Sequence, residues 1–188
     1  MDKIFHFFSG KKDGVELSNF HRSLIRIEDG NVIREYNSGE NAFHGMKYIE
    51  ISKDIHAADG RRKKELYDYG VKFEIDGEYG CLSGGETKKK GGKKGLLLRP
   101  NELQIWINKG GDVQRKICRY KYEHVEGVRE CLEKNKDKIL IHPALRVSDE
   151  KVKFCVWEGR GVVVENGHFK VLGGNLLGNI WMEIRDSM

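Results

Sequence analysis

The feature of this sequence that most constrains its fold is a set of turn signals. They separate short segments in which apolar side chains recur with different spacings. Asp29-Gly30 lies between residues 23–28 and 31–36 and is typical of a type I′ β-hairpin. Residues 113–132 instead repeat apolar side chains every three or four positions, as an amphipathic helix does. Because such patterns mix without a regular βαβ alternation, the sequence predicts an α+β fold. Its 188 residues predict one compact domain with a buried core.

Further patterns predict the remaining elements. Strands are predicted at residues 4–8, 71–75, 103–107, 138–142, 152–157, 161–165 and 168–172, with a hairpin turn at Asn166-Gly167. Helices are predicted to begin at Ser38 and after Asn175, and a long one is predicted to run from Asp112 to near Asn135. The basic residues 61–66 fit either a solvated face or the start of another helix. Residues from about 80 to 96, rich in Gly and Lys, predict a mobile loop.

The overall composition narrows the class of protein. Cys81, Cys118, Cys131 and Cys155 are scattered without a C-x-x-C pair, which predicts a reducing compartment and no zinc site. Cys118 and Cys131 fall within one helical pattern and are predicted to be buried thiols. No stretch approaches the ~20 apolar residues of a membrane helix, and the N-terminus lacks a signal-peptide pattern. We therefore expect a soluble, cytoplasmic protein without a membrane partner.

One short stretch combines residues suited to catalysis. Ser38 is a candidate N-cap, and Phe43, Met46 and Ile49 follow at helical spacing. Glu40 then falls in the first turn, where the helix dipole favours a carboxylate, and His44 follows one turn later on the same face. This pair either activates water or steadies a developing cation, or it is an ordinary helix start.

The positive charge is local. Net charge is +5, and five lysines lie close together: Lys88, Lys89, Lys90, Lys93 and Lys94. The remainder is formally neutral. This segment is either a phosphate-attracting nucleic-acid contact or a solubilising loop.

Two further stretches fit either a ligand-binding site or a purely structural role. Residues 173–178 form a glycine-rich turn before a helix, suited to phosphate or to close packing. Trp157, Glu158 and Arg160, flanked by glycines, fit a ligand pocket or a packed tryptophan with surface charges. Trp106 fits a strand in the core better than a stacking platform.

Taken together and in order, these pieces resemble the NADAR family of N-glycosidases, related to enzymes of riboflavin biosynthesis. The motifs that carry the resemblance are Leu17-Ser18-Asn19-Phe20, residues 38–48, Trp106, Lys121-Tyr122, Trp157 and residues 174–185. The resemblance extends from about Phe5 to Arg185 and is poor over residues 52–100.

The resemblance implies a single NADAR-like domain without a cofactor that cleaves a C–N bond at the anomeric carbon of a ribose. Glu40 would be the catalytic glutamate, with Trp106 and Trp157 in the base and ribose pocket and the Gly174–Asn175 turn closing it. The implied substrate-binding residues are Ser18, Asn19, Phe20, His44, Lys47, Trp106, Lys121, Trp157, Glu158, Gly159, Arg160, Gly174, Asn175 and Gly178.

Two positions depart from the family pattern: Phe154 replaces a common aspartate, and Glu158 follows the tryptophan in place of glycine. We expect removal of ADP-ribose from ADP-ribosylated guanine, in nucleic acid or a free nucleotide. The alternatives are hydrolysis of a ribosylamino-pyrimidine intermediate of riboflavin synthesis and non-catalytic binding of ADP-ribose or nucleic acid.

Overall fold

The computed structural model describes residues 3–55, 59–163 and 169–187. By its contacts the chain divides into two units. The first unit comprises Met1–Ser18 and Tyr122–Met188, and the second comprises Asn19–Lys121. Both units mix helices with short strands, so the predicted α+β class is confirmed. The expectation of a single domain stays a prediction.

The elements are short apart from helices α1 and α4. The strands are β1 (Ile4–His6), β2 (Arg22–Asp29), β3 (Val32–Ser38), β4 (Ile139–Ile141), β5 (Arg160–Val163) and β6 (Phe169–Leu172). The helices are α1 (Gly39–Asp54), α2 (Gly60–Val71), α3 (Gly84–Gly91), α4 (Pro100–His124), α5 (Val128–Lys134), α6 (Asp149–Val152) and α7 (Leu176–Asp186), with a 3-10 turn at Val15–Leu17. Strands β1 and β4 pair in parallel, whereas β2–β3 and β5–β6 are antiparallel.

The β2–β3 hairpin confirms the predicted strands but corrects the turn. Asp29 pairs with Val32, so the two loop residues are Gly30 and Asn31. Gly30 has a φ of 63°, and Asn31 does not have a positive φ. A type I′ turn needs positive φ at both central residues, whereas a type II′ turn needs it only at the first. The pattern is therefore that of type II′.

Strand β3 leads directly into α1, as predicted. Ser38 is extended (φ −162°), and its Oγ accepts a hydrogen bond of 3.1 Å from the Asn41 backbone N–H. This contact satisfies one of the amide groups that have no partner within the first helical turn. The predicted cap, and with it the placement of Glu40 in the first turn, is confirmed.

The predicted Lys/Gly-rich loop at residues 80–96 is wrong for its central part. Helix α3 begins with a capping box, in which Ser83 and Glu86 satisfy each other's backbone amides. Thr87 and Gly91 are buried, so one face of α3 packs inward. The local capping pair thus outweighs the weak helix propensity of the glycines.

The predicted strand around Trp106 and the predicted cap at Asp112 are also wrong. Both residues lie inside α4, which begins at Pro100. Gly110 permits the continuous helix to bury Trp106, because a Cβ at position 110 would lie 3.1 Å from the indole. The predicted end at Asn135 is right for α5, which is separated from α4 by Gly127 at φ 82°.

Two further predicted strands are absent where they were expected. Residues 71–75 finish α2 and enter turns, and residues 152–157 finish α6 and continue in turns and bends. The predicted hairpin turn at Asn166-Gly167, and part of the strand at 161–165, lie outside the described residues. The remaining predicted strands correspond to β1, β4, β5 and β6.

Each unit has its own buried interior. In the second unit, α1 carries much of the core through Met46, Tyr48, Ile49 and Ile51. In the first unit, Trp181 of α7 is fully buried, and its indole N–H donates to the Leu17 carbonyl at 3.1 Å. Burying side chains of this size supplies the main free energy of folding.

The cysteines are free thiols, and Cys118 and Cys131 are buried, in α4 and α5 rather than in one helix. Among the described residues, no three His, Cys, Asp or Glu side chains could share a metal ion. The helices within the described ranges are too short or too polar to cross a bilayer.

Candidate active site at the start of helix α1

Three ionisable side chains follow one another along one face of α1. His44 Nε2 lies 3.1 Å from Glu40 Oε1, and Lys47 Nζ lies 3.5 Å from His44 Nδ1. The residues are four and three positions apart, as side chains on one helical face must be. Each is less than a tenth exposed. We call these three residues the α1 row.

The contacts within the α1 row determine which atoms donate hydrogen bonds and which accept them. The carboxylate of Glu40 can only accept, so His44 donates through Nε2–H. Nδ1 of a neutral imidazole is then an acceptor, and it faces the ammonium of Lys47. Lys47 also donates to the Gly91 carbonyl. The histidine thereby joins a cation to a carboxylate while itself uncharged.

Burial sets the protonation of two members of the row. Desolvation lowers the pKa of His44 below its ordinary value, although Glu40 opposes the shift. Desolvation likewise lowers the pKa of Lys47 from 10.5 to about 8, again opposed by Glu40. At neutral pH the row therefore contains a neutral imidazole and an ammonium close to its titration range.

Helix α3 packs against one side of the α1 row. A Cβ at Gly91 would lie 2.1 Å from the His44 ring, and a Cβ at Gly84 would lie 2.5 Å from the Phe20 ring. Glycine is thus the residue that lets α3 approach both aromatic rings. Lys88 lies between these glycines, and its charge contributes to lowering the pKa of His44. The structure therefore brings Phe20 and Lys88 to the side of the unit that holds His44.

The backbone at the start of α1 is held by Asn19. The Glu40 N–H donates to the Asn19 carbonyl at 2.9 Å. The side-chain amides of Asn19 and Gln114 donate to each other, at 2.8 Å and 3.0 Å. Sequence reasoning missed Gln114, because its partner lies 95 residues away and no local pattern marks it.

Trp106 lies near the row through Phe43. The Trp106 and Phe43 rings meet edge to face with centroids 4.9 Å apart, and Phe43 lies 5.5 Å from the His44 ring. Trp106 belongs to the core and is 8% exposed. Its predicted contact with a substrate base stays a prediction. Lys121 is fully buried on α4, and its predicted substrate contact likewise stays a prediction.

The other predicted site residues lie in the first unit. They are Ser18, Trp157, Glu158, Gly159, Arg160, Gly174, Asn175 and Gly178. Ser18 is buried, whereas Trp157 and Glu158 are half-buried. That any of these residues lies beside Glu40 stays a prediction.

Several residues of this group hold the backbone of the first unit. Asn175 has a left-handed backbone (φ 45°), and its side chain bonds to the Leu140 carbonyl and the His142 N–H rather than capping α7. A Cβ at Gly178 would lie 2.3 Å from the Leu140 carbonyl, and one at Gly159 would lie 2.8 Å from the Asn175 side chain. The glycine-rich turn is thus a close-packed junction with β4.

The side chain of Arg160 also forms its hydrogen bonds within the protein. Its guanidinium donates to the Ala144 and Val147 carbonyls at 2.9 Å and 2.6 Å, and it pairs with Asp149. These contacts fix the segment that precedes β5. They give Arg160 a structural role that is independent of any ligand.

An open cleft of about 600 Å³ lies away from the α1 row. Its lining residues come from the end of α1 and from α2, and they include Lys53, Lys63, Lys64 and Tyr67. Lys53 and Lys64 are paired with acidic side chains. The α1 row lies outside this lining, and the chemistry of the row, rather than cavity size, identifies the candidate site.

No family model matches the sequence. No curated protein matches it either.

Proposed function

We propose that the protein is an N-glycosidase that removes ADP-ribose from ADP-ribosylated guanine. The observation that carries this proposal is the α1 row, a buried carboxylate held by a neutral histidine that is itself held by a lysine. The resemblance of the sequence to NADAR N-glycosidases supports the choice of reaction.

Glu40 has the geometry of a cation-stabilising group. His44 occupies Oε1, and within the described part of the chain no protein group hydrogen-bonds to Oε2. In the proposed reaction, Oε2 is the oxygen that faces the reacting atoms. Breaking an N-glycosidic bond builds positive charge at the ribose ring, and a fixed carboxylate beside it stabilises that charge.

The proposed reaction balances as a hydrolysis. The bond between the ribose anomeric carbon and the guanine nitrogen breaks, and its electron pair stays on the nitrogen. A water molecule oriented by Glu40 adds its oxygen to the anomeric carbon. One water proton is transferred to the leaving nitrogen, and the other remains on the new hydroxyl. The products are ADP-ribose and unmodified guanine.

The position of α3 favours a substrate that carries phosphates. Gly91 of this helix packs on His44, and its carbonyl accepts from Lys47. The same helix carries exposed Lys88, Lys89 and Lys90, and exposed Lys93 and Lys94 follow it. Ammonium groups attract phosphates over several ångströms. A diphosphate or a nucleic-acid backbone close to the row would meet this charge.

The competing explanation of these lysines is structural. Lys88–Lys90 lie in the last turn of α3, where cations stabilise the negative end of the helix dipole. Lys90 Nζ also lies 5.1 Å from the Tyr79 ring centroid. Glutamine replacement separates the two roles, because it removes the charge and retains good helix propensity.

Product analysis tests the proposal. Purified protein is incubated with an oligonucleotide carrying ADP-ribosylated guanine and with a ribosylamino-pyrimidine phosphate, and products are identified by mass spectrometry. We expect free ADP-ribose and unmodified guanine. Turnover of the pyrimidine alone would favour the riboflavin-type activity. Calorimetric binding of ADP-ribose without turnover of either substrate would favour a binding module.

The variant with all five lysines changed to glutamine sharpens the test. At low salt we expect its KM for the oligonucleotide to rise at least about 10-fold and its salt dependence to weaken. An unchanged KM would contradict the argument that these lysines attract the phosphates of the substrate.

A further inference from the structure

We infer that Gln114 is a positioning residue of this site, which fixes the Glu40 carboxylate through Asn19. The inference rests on the proposed function for its catalytic consequence. Its structural part concerns three residues from separate segments: Gln114 on α4, Asn19 before β2 and Glu40 in the first turn of α1.

The first link is a reciprocal pair of side-chain amides. Asn19 Nδ2 donates to Gln114 Oε1 at 2.8 Å, and Gln114 Nε2 donates to Asn19 Oδ1 at 3.0 Å. Two parallel hydrogen bonds between planar groups fix their relative orientation, as a single bond does not. Gln114 is fully buried and also contacts Cys118 Sγ at 3.2 Å. Its rotamer is therefore determined by packing on α4.

The second link joins Asn19 to the catalytic segment. The Asn19 carbonyl accepts from the Glu40 N–H at 2.9 Å, which satisfies an amide that has no partner within the helix. Gly39 permits this approach, because a Cβ there would lie 2.7 Å from Asn19 Oδ1 and 3.2 Å from Asn19 Cα. Asn19 therefore defines where the first turn of α1 begins.

The two links together explain why Asn19 need not contact the substrate. The sequence resemblance implies a substrate-binding role for Asn19, yet both ends of its amide bond to Gln114. Losing Gln114 would release the Asn19 side chain and loosen the backbone that orients Glu40. Catalysis by a fixed carboxylate depends on its position to within about 1 Å, and an error of that size costs roughly 100-fold in rate.

Gln114→Met is the informative substitution, because it keeps length and volume while removing both hydrogen bonds. The matched control is Gln104→Met, an exposed glutamine on the same helix. A double variant, Asn19→Gln with Gln114→Asn, restores the amide pair with the same total side-chain length. We expect Gln114→Met to lower kcat about 10- to 100-fold with little change in KM. The double variant should recover most of the loss.

Hydrogen exchange of backbone amides tests the structural part without any substrate. In Gln114→Met the Glu40 amide should exchange at least about 10-fold faster, because its acceptor on Asn19 is no longer fixed. The Asn41 amide, held in the same turn by Ser38 Oγ at 3.1 Å, should change much less. A general loss of stability would instead accelerate both amides together.

The outcomes separate this inference from the proposed function. Unchanged exchange at Glu40 overturns the positioning role, whatever the activity. Faster exchange with unchanged kcat overturns its catalytic consequence. If the wild-type protein turns over no substrate, the proposed function fails, and the exchange result alone decides whether Gln114 fixes Glu40.

Discussion

His44 Nε2 lies 3.1 Å from Glu40 Oε1, and neither side chain is more than 10% exposed. A carboxylate accepts only, so this contact commits the imidazole to donate at Nε2 and to accept at Nδ1, where Lys47 lies. His44 thus orients the Glu40 carboxylate and links it to the ammonium group of Lys47. We therefore expect each member of the α1 row to have a different, measurable role.

The first prediction concerns His44. Glutamine at this position can donate to Glu40 but cannot also accept from Lys47 in the same geometry. We expect His44→Gln to lower kcat about 100-fold, at the lower end of the range for groups that act in proton transfer. Steady-state kinetics measure the effect, with the exposed His124→Gln as control. Equal activity of both variants would show that His44 only fills space.

The second prediction is the alkaline limb of activity. Burial lowers the pKa of Lys47 to about 8, so the ammonium that faces His44 is lost above that pH. We expect kcat/KM to fall as pH rises through about 8, because this parameter reports ionisations of the free enzyme. Lys47→Arg keeps the charge and should move the limb to higher pH. A limb that stays in place would assign it to another group.

The third prediction concerns how the lowered pKa of Lys47 makes the free energy of unfolding depend on pH. Lys47 binds its proton more weakly in the folded state than in the unfolded state, so the unfolded state holds more protons between pH 8 and 10.5. The free energy of unfolding of the wild type should therefore rise relative to Lys47→Met across this window. The full difference is about 3 kcal/mol. Urea titrations at several pH values measure it, and a pH-independent difference would contradict the burial of a charged lysine.

The fourth prediction concerns the contact between α3 and the row. Gly91→Ala would place a methyl group 2.1 Å from the His44 ring. We expect a loss of about 1–3 kcal/mol in unfolding free energy, as for other overpacked sites, together with reduced kcat. Gly85→Ala on the same helix meets nothing within 4 Å and should be neutral or slightly stabilising. Thermal unfolding of both variants makes the comparison, and matching losses would mean that α3 does not press on His44.

Local chemistry made some elements predictable. Ser38 marks the start of α1 because a cap is decided within four residues, and Asp29-Gly30 marks the hairpin for the same reason. The alternation of apolar and polar side chains over residues 103–107 predicts a strand at Trp106, and glycines and Asp112 follow it. The helix continues through them because burying Trp106 against Gly110 outweighs their poor propensity.

Some residues of the candidate site could likewise be predicted from the sequence, and others could not. Glu40 and His44 could be paired from their spacing on one helix, and the structure confirms that they meet. Gln114 and Gly91 could not be found from sequence, because their partners are Asn19 and His44, distant along the chain. Arg160 and Asn175 resemble ligand-binding residues in sequence, but their polar groups bond to the backbone of their own unit.

The most direct measurement compares wild type with Glu40→Gln in single-turnover release of ADP-ribose from ADP-ribosylated guanine. Glutamine keeps shape and removes the charge, so we expect normal thermal unfolding and a rate at least about 100-fold lower. Glu50→Gln, also on α1, is the control and should retain wild-type turnover. A Glu40→Gln variant that folds normally and releases ADP-ribose at the wild-type rate would contradict the central claim.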